Sequence, residues 1–110
     1  MNVEVTHEMI EDIIEGAGYG IHYWATKAVV DEDAQTYTIT DGEDGKVYVV
    51  HYSDITKAIQ SLLDREVAIR SDIVDAIALD LMNYEDAHRM DSEVYDVIIQ
   101  VACFGEVIYG

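Results

Sequence analysis

The chain has 110 residues, half of them hydrophobic, with 23 Asp and Glu against six Lys and Arg for a formal charge of -17. That length suits one domain with one core and argues against a second. The charge excludes direct binding to nucleic acid or to an anionic membrane and favours a basic partner.

Thr6 is placed to cap a helix starting at His7. At about 100° per residue, Met9, Ile10, Ile13 and Ile14 fall on one side and Glu8, Glu11, Asp12 and Glu15 on the other. Gly16 and Gly18 are expected to stop it. The stretch "GAGYGIHYW" has glycines at G-x-G-x-G, after a helix and before a strand. A dinucleotide fingerprint needs G-x-G-x-x-G between a strand and a helix. The glycines therefore read as a helix C-cap and a close turn into the sheet, with Trp24 packing on the core.

Residues 21–30, 35–41 and 46–52 are rich in Thr, Tyr, Val and Ile, and "GEDG" separates the last two. They predict a three-stranded antiparallel meander. Ser53 is expected to cap a second helix carrying Ile55, Ala58, Ile59, Leu62 and Leu63 on its apolar side. Ser71 or Asp72 begins a third, running to about Tyr84, with Ile73, Val74, Ile77, Ala78 and Leu81 inward. Asp91 or Ser92 begins a fourth, "VYDVIIQVACFG", in which Glu93, Asp96 and Gln100 form a polar strip and which should run through the core to about 104. The expected order is α-β-β-β-α-α-α, an α+β domain spanning residues 1–110.

Eight tyrosines, one tryptophan and many Ile and Val oppose disorder. No run approaches the ~20 apolar residues of a membrane span. The start "MNVEVTHEMIEDII" has acids where a secretory signal carries bases. Cys103 is the single cysteine, so no internal disulfide forms. A soluble, cytoplasmic protein is expected.

"DGEDGK", residues 41–46, offers Asp41, Glu43 and Asp44 as oxygen donors, but Gly45, Lys46 and Tyr52 occupy the places where a calcium loop needs an acid, a glycine and a glutamate. It reads as a hairpin turn. The histidines His7, His22, His51 and His88 show no i, i+4 pair. His22 and His51 lie on predicted strands, where a meeting beside an acid would make a weak metal site; the ordinary reading is two partly exposed strand histidines. Cys103 reads as an inert core thiol. "EDAHRMD" places Glu85, Asp86 and His88 in an interhelical loop facing water. No catalytic constellation emerges, so neither a reaction, a cofactor nor a metal is expected.

The acids of the first helix form a stripe in which residues three or four apart have Cβ atoms about 5–6 Å from one another. Phosphates along one DNA strand are spaced ~3.4 Å apart. A rigid stripe can thus stand in for a row of phosphates, supplemented by Asp31, Glu32 and Asp33, by Asp41, Glu43 and Asp44, and by Asp72, Asp75 and Asp80. Leu79 falls by helical angle among Asp72, Asp75 and Asp80, as an interface anchor would, although lone surface leucines are common.

In "GYGIHYWATKAV", "TYTITDGEDGKVYVVHYSDITKAI" and "VIIQVACFGEVIYG", about half of its length, the chain resembles small acidic proteins of bacteriophages of the actinophage type. The resemblance supplies no catalytic residues and implies an inhibitor of a host enzyme, acting in the host cytoplasm. In charge and size alone the chain is similar to phage DNA-mimic inhibitors. The expected function is an acidic inhibitor or DNA mimic that occludes a basic nucleic-acid-binding host protein. The contact would use Glu8, Glu11, Asp12, Glu15, Asp72, Asp75, Leu79 and Asp80. The alternative is a non-catalytic interaction or assembly module whose acidity serves solubility. Repulsion between copies implies a monomer or a weak dimer, the latter if an apolar patch at Trp24, Tyr48 and Tyr52 is exposed.

Overall fold

The first helix starts where the sequence places it. Thr6 Oγ1 accepts the Met9 N–H at 3.2 Å, and helix α1 runs His7–Gly20. In the computed structural model, residues 4–82 and 90–110 are described. Strands β1 (Ala25–Asp31), β2 (Thr36–Asp41) and β3 (Val47–His51) form an antiparallel sheet in the order β1-β2-β3. Helices α2 (Tyr52–Leu63), α3 (Ser71–Met82) and α4 (Ser92–Phe104) complete the expected α-β-β-β-α-α-α order of an α+β fold.

Gly16 and Gly18 do not stop α1. The helix passes through them and ends at Ile21, whose N–H reaches the Ala17 carbonyl. The reason is tertiary. A Cβ on Gly16 would stand 2.2 Å from Cε2 of Tyr95, and one on Gly20 would stand 2.4 Å from the Ser92 carbonyl oxygen. Gly16 and Gly20 lie one turn apart on one face, so their missing side chains let α1 rest directly on the start of α4. A helix-internal glycine costs about 0.5–1 kcal/mol relative to alanine; here close packing offsets that cost. Gly18, on another face, has no atom within 4 Å of its would-be Cβ.

Two other boundaries shift. Residues 21–24 are a turn, with Trp24 and Ala25 both donating to the Ile21 carbonyl, so β1 starts later than its composition suggests. The cap of α2 is His51 rather than Ser53: the chain turns straight from strand to helix, and Asp54 Oδ2 accepts the His51 N–H at 2.9 Å. The expected extension of α3 to Tyr84 lies outside the described residues. At α4, Asp91 caps as predicted, its Oδ1 accepting from Val94 N at 3.0 Å, and Gly105 ends the helix in the left-handed conformation.

The helices gather on one face of the sheet. Tyr37, Ile39 and Val50 point into the core with Ile10, Ile13, Ile55, Ile59, Leu62 and Ile98. On the other face Val29, Thr38 and Val49 stand in register, and Val29, Val47 and Val49 are exposed. The apolar patch expected at Trp24, Tyr48 and Tyr52 is not there, because Trp24 and Tyr52 are buried and Tyr48 packs edge-on against Phe104. Alternation assigns strand residues to two faces but not which face the helices cover.

Gly16→Val is expected to destabilise by about 1–3 kcal/mol through overpacking against Tyr95, whereas Gly18→Ala should stabilise by up to about 1 kcal/mol through helix propensity alone. Urea titrations of the two variants check the assignment; equal effects would mean that α1 and α4 do not meet at Gly16.

Candidate protein-binding surface

Because Met9, Ile10, Ile13 and Ile14 anchor α1 in the core, its opposite side carries Glu8, Glu11, Asp12 and Glu15, all exposed. No lysine or arginine interrupts this helix. The stripe has acidic surroundings on both flanks, and two tyrosines register them. Burial, and after it the charges of Glu11, Glu32 and Asp31, push the Tyr52 phenol above its ordinary value. Tyr95, on the α4 side, is pushed up by burial and then by Asp80, Asp12 and Asp91. Glu32 in the turn after β1 and Asp91 before α4, both exposed, therefore each add a carboxylate within electrostatic reach of these two tyrosines.

The second expected cluster is only partly a surface. Asp75 is exposed, and so is Leu79 at 41%. Asp72 is exposed but shares Arg70 with Glu93, at 3.1 Å from the Arg70 Nε, so part of its charge is locally neutralised. Asp80 is a correction: it is 4% exposed, and its Oδ2 accepts the Met90 N–H at 2.7 Å. A helical-wheel angle puts it on the polar side, but Met90, just before α4, presents its backbone donor to that position.

Asp41, expected in a solvated turn, is also buried. Both its carboxylate oxygens accept from the Tyr109 hydroxyl, at 2.9 and 2.8 Å, and Oδ1 also accepts from Glu43 N. Its neighbours Glu43 and Asp44 remain on the hairpin surface, where Gly45 adopts a left-handed φ.

The polar strip expected on α4 turns inward except at Glu93. Asp96 is buried and accepts from Tyr23 Oη at 2.6 Å, Trp24 Nε1 at 2.8 Å and Gln100 Nε2 at 2.9 Å. Gln100, fully buried, accepts the N–H groups of Ile108 and Tyr109 at Oε1 and donates from Nε2 to the Tyr109 carbonyl. The network ties α4 to the turn after α1 and to the C-terminal segment, while Tyr109 stacks on Trp24 at 5.4 Å. A sequence signal existed: Asp96 and Gln100 sit at i, i+4 in a helix otherwise apolar all round, and polar groups in such a setting need partners. The i, i+4 pair Gly16 and Gly20 is a comparable signal for helix contact.

The proposed meeting of His22 and His51 does not occur. His51 pairs with Thr36 at one end of β2, whereas His22 precedes Ala25, which pairs with Asp41 at the other, roughly 17 Å along the strand. His22 Nδ1 instead donates to the Tyr19 carbonyl at 2.7 Å. Among the described residues no group of three His, Cys, Asp or Glu is arranged to hold a metal ion. Glu85, Asp86 and His88 lie outside the described residues. Cys103 is half-buried, and burial, with a contribution from Asp41, pushes its thiol up to about 12. No described helix is long and apolar enough to cross a membrane. Compared with protein families, curated proteins and solved structures, the chain matches none.

The phenols and the thiol give the fold an alkaline limit. In the folded chain Tyr109 holds its proton to about 12 against an ordinary 10.0, chiefly through its bond to Asp41, and Cys103 to about 12 against 9.0. The unfolded chain releases these protons first, so their contribution is complete below the ordinary values and is lost as pH rises toward 12. Urea midpoints should fall between about pH 8 and pH 11. Tyr109→Phe should lower the midpoint at pH 8 and narrow the fall; an unchanged pH dependence would remove Tyr109 from the account.

Proposed function

We propose that this protein binds and occludes a basic, nucleic-acid-binding host protein, as a phage-type acidic inhibitor that presents carboxylates where DNA presents phosphates. The observation that carries this reading is the placement of Glu8, Glu11, Asp12 and Glu15 on one exposed side of α1, with further acids on both flanks of the helix. A rigid row of carboxylates costs little to order on binding, and long-range attraction speeds encounter with a cationic groove. Leu79, with Asp75 on the same helix, supplies an exposed apolar anchor on α3, while Asp72 contributes less because Arg70 holds it. Asp80 and Asp41 are not part of the contact, being buried and hydrogen-bonded. The same surface repels nucleic acid itself and copies of this chain, consistent with a monomer or a weak dimer.

A second reading has its own observation. Glu43, Asp44, Asp64, Glu66 and Glu106, none of them on α1, are also exposed, and acids spread over several elements in this way serve solubility in an interaction or assembly module. The two readings separate in competition. Labelled duplex DNA is bound to a basic partner retained from host lysate and titrated with the parent and with a variant carrying Gln at 8, 11, 12 and 15. The expected outcome is displacement by the parent, weakened roughly tenfold or more in the variant and by added salt. Equal displacement by both would remove the stripe from the contact, and no displacement by either would favour the solubility reading.

A further inference from the structure

Strand β1 is an unusually open edge. Six of its seven residues are exposed, and among the described residues it pairs only with β2. Helices α2 and α4 lie against β3 at the opposite edge. Ala28 and Val30 point to the same side of the sheet as their partners Ile39 and Tyr37, the side that faces the helices. Between them and α1 runs a groove of about 430 Å³, with Glu11 and Glu15 on one bank, Val30 and Glu32 on the other and Tyr37 and Tyr52 toward its floor. Natural sheet edges are usually covered or blunted by charge or proline. β1 has a bulge and Lys27 at its start, but its centre, Ala28 to Val30, has neither.

One group in this groove lacks a partner. Tyr52 is 4% exposed, and its Oη is buried without a hydrogen bond. A buried hydroxyl without a hydrogen bond leaves its desolvation uncompensated. Tyr52 lines this groove together with Glu11 and Glu32, which stand on its two banks. Apolar walls, a carboxylate on each bank and an orphan acceptor below together match one kind of side chain: a lysine or arginine, whose stem packs on Val30 while its N–H groups meet Glu11, Glu32 and Tyr52.

We infer that the groove between α1 and the open edge of β1 receives an extended, lysine- or arginine-bearing segment of a partner protein, which joins the sheet as a fourth strand beside β1. A strand added there would lie about 4.8 Å from β1, and alternate side chains would point to the side of Ala28 and Val30, against Glu11 and Glu15. Backbone pairing supplies affinity, and the acids select cationic residues at every second position. A second copy of this chain is disfavoured, since edge-to-edge pairing would bring two molecules of charge -17 together. This inference rests on the reading of the protein as a binder of basic partners, and it names where and in what form the partner engages.

The test uses the full chain and two capped octapeptides of alternating lysine and valine. One is unmodified; the other carries N-methyl groups on alternate residues, which keep the charge and remove the strand's donors. Binding is measured by fluorescence anisotropy, and amide exchange is followed by NMR. The unmodified peptide should bind, the methylated one roughly tenfold more weakly or less, and amide exchange should slow at residues 27–31. A variant combining Glu11→Gln, Glu15→Gln and Glu32→Gln should weaken the unmodified peptide roughly tenfold. Tyr52→Phe should weaken it about threefold while melting no lower than the parent, because the orphan oxygen is gone. Equal binding of both peptides with loss in the triple variant would overturn strand addition and leave the basic-partner reading standing. Binding of neither peptide at about 0.05 M salt would overturn both. Slow exchange at 27–31 without peptide, together with dimerisation, would assign the edge to a second copy and overturn the inference.

Discussion

Two helices approach until their side chains touch, so contact between a helix surface and another helix's first backbone carbonyl requires a missing Cβ. Gly16 and Gly20 supply this for α1, letting the ring of Tyr95 and the carbonyl of Ser92 lie directly against the helix. Much of the rest depends on that contact. With its glycine face set on the start of α4 and Met9, Ile10, Ile13 and Ile14 in the core, α1 has one side left, and that side carries the acids. The same placement leaves a gap between α1 and β1 rather than a packed helix–sheet interface.

A formal charge of -17 is a property of the chain, but its distribution is a property of the fold. Asp41, Asp80 and Asp96 are taken into the interior, where hydroxyl, indole, amide and backbone donors surround them. A buried carboxylate is tolerable when its lone pairs are filled, and Asp96 with its three donors meets that condition. These acids bind the protein to itself: Asp96 holds the turn that leads into β1, and Asp41 holds the C-terminal Tyr109. The acids left outside on α1 and beside it are then presented on an element with little freedom to move.

Rigidity matters for binding of the kind proposed. Exposed ion pairs contribute at most about 1 kcal/mol each and are screened by salt, so a purely electrostatic contact is fast but weakly selective. Selectivity needs apolar surface or backbone pairing next to the charges. Both occur beside α1, in the exposed Val30 of β1 and in that strand's unpaired edge. The exposed outer face with Val29, Val47 and Val49 is a further apolar surface, with Thr38 and Thr40 between the valines and Asp31 at its end.

The sequence by itself determined the elements and their order, because those depend on local periodicity: Thr6 and Asp91 as caps, helical spacing in Ile55 to Leu62, alternation in Thr36 to Asp41, and a glycine turn at 42–45. It also determined which side of α1 is acidic, since that side is the complement of a strongly apolar one. Tertiary structure decided what one-dimensional patterns do not encode. Glycines that read as a stop became a helix contact because Tyr95, far along the chain, lies opposite them. Asp80 reads as solvent-facing, and Asp96 and Gln100 as a polar strip, because a helical wheel counts only angle, and all three are buried because residues from elsewhere in the chain bring donors to them. The groove has the same origin. Glu11, Val30, Glu32 and Tyr52 come from three separate elements and the turn between strands, and only the packing of α1 beside an unpaired strand brings them to one place.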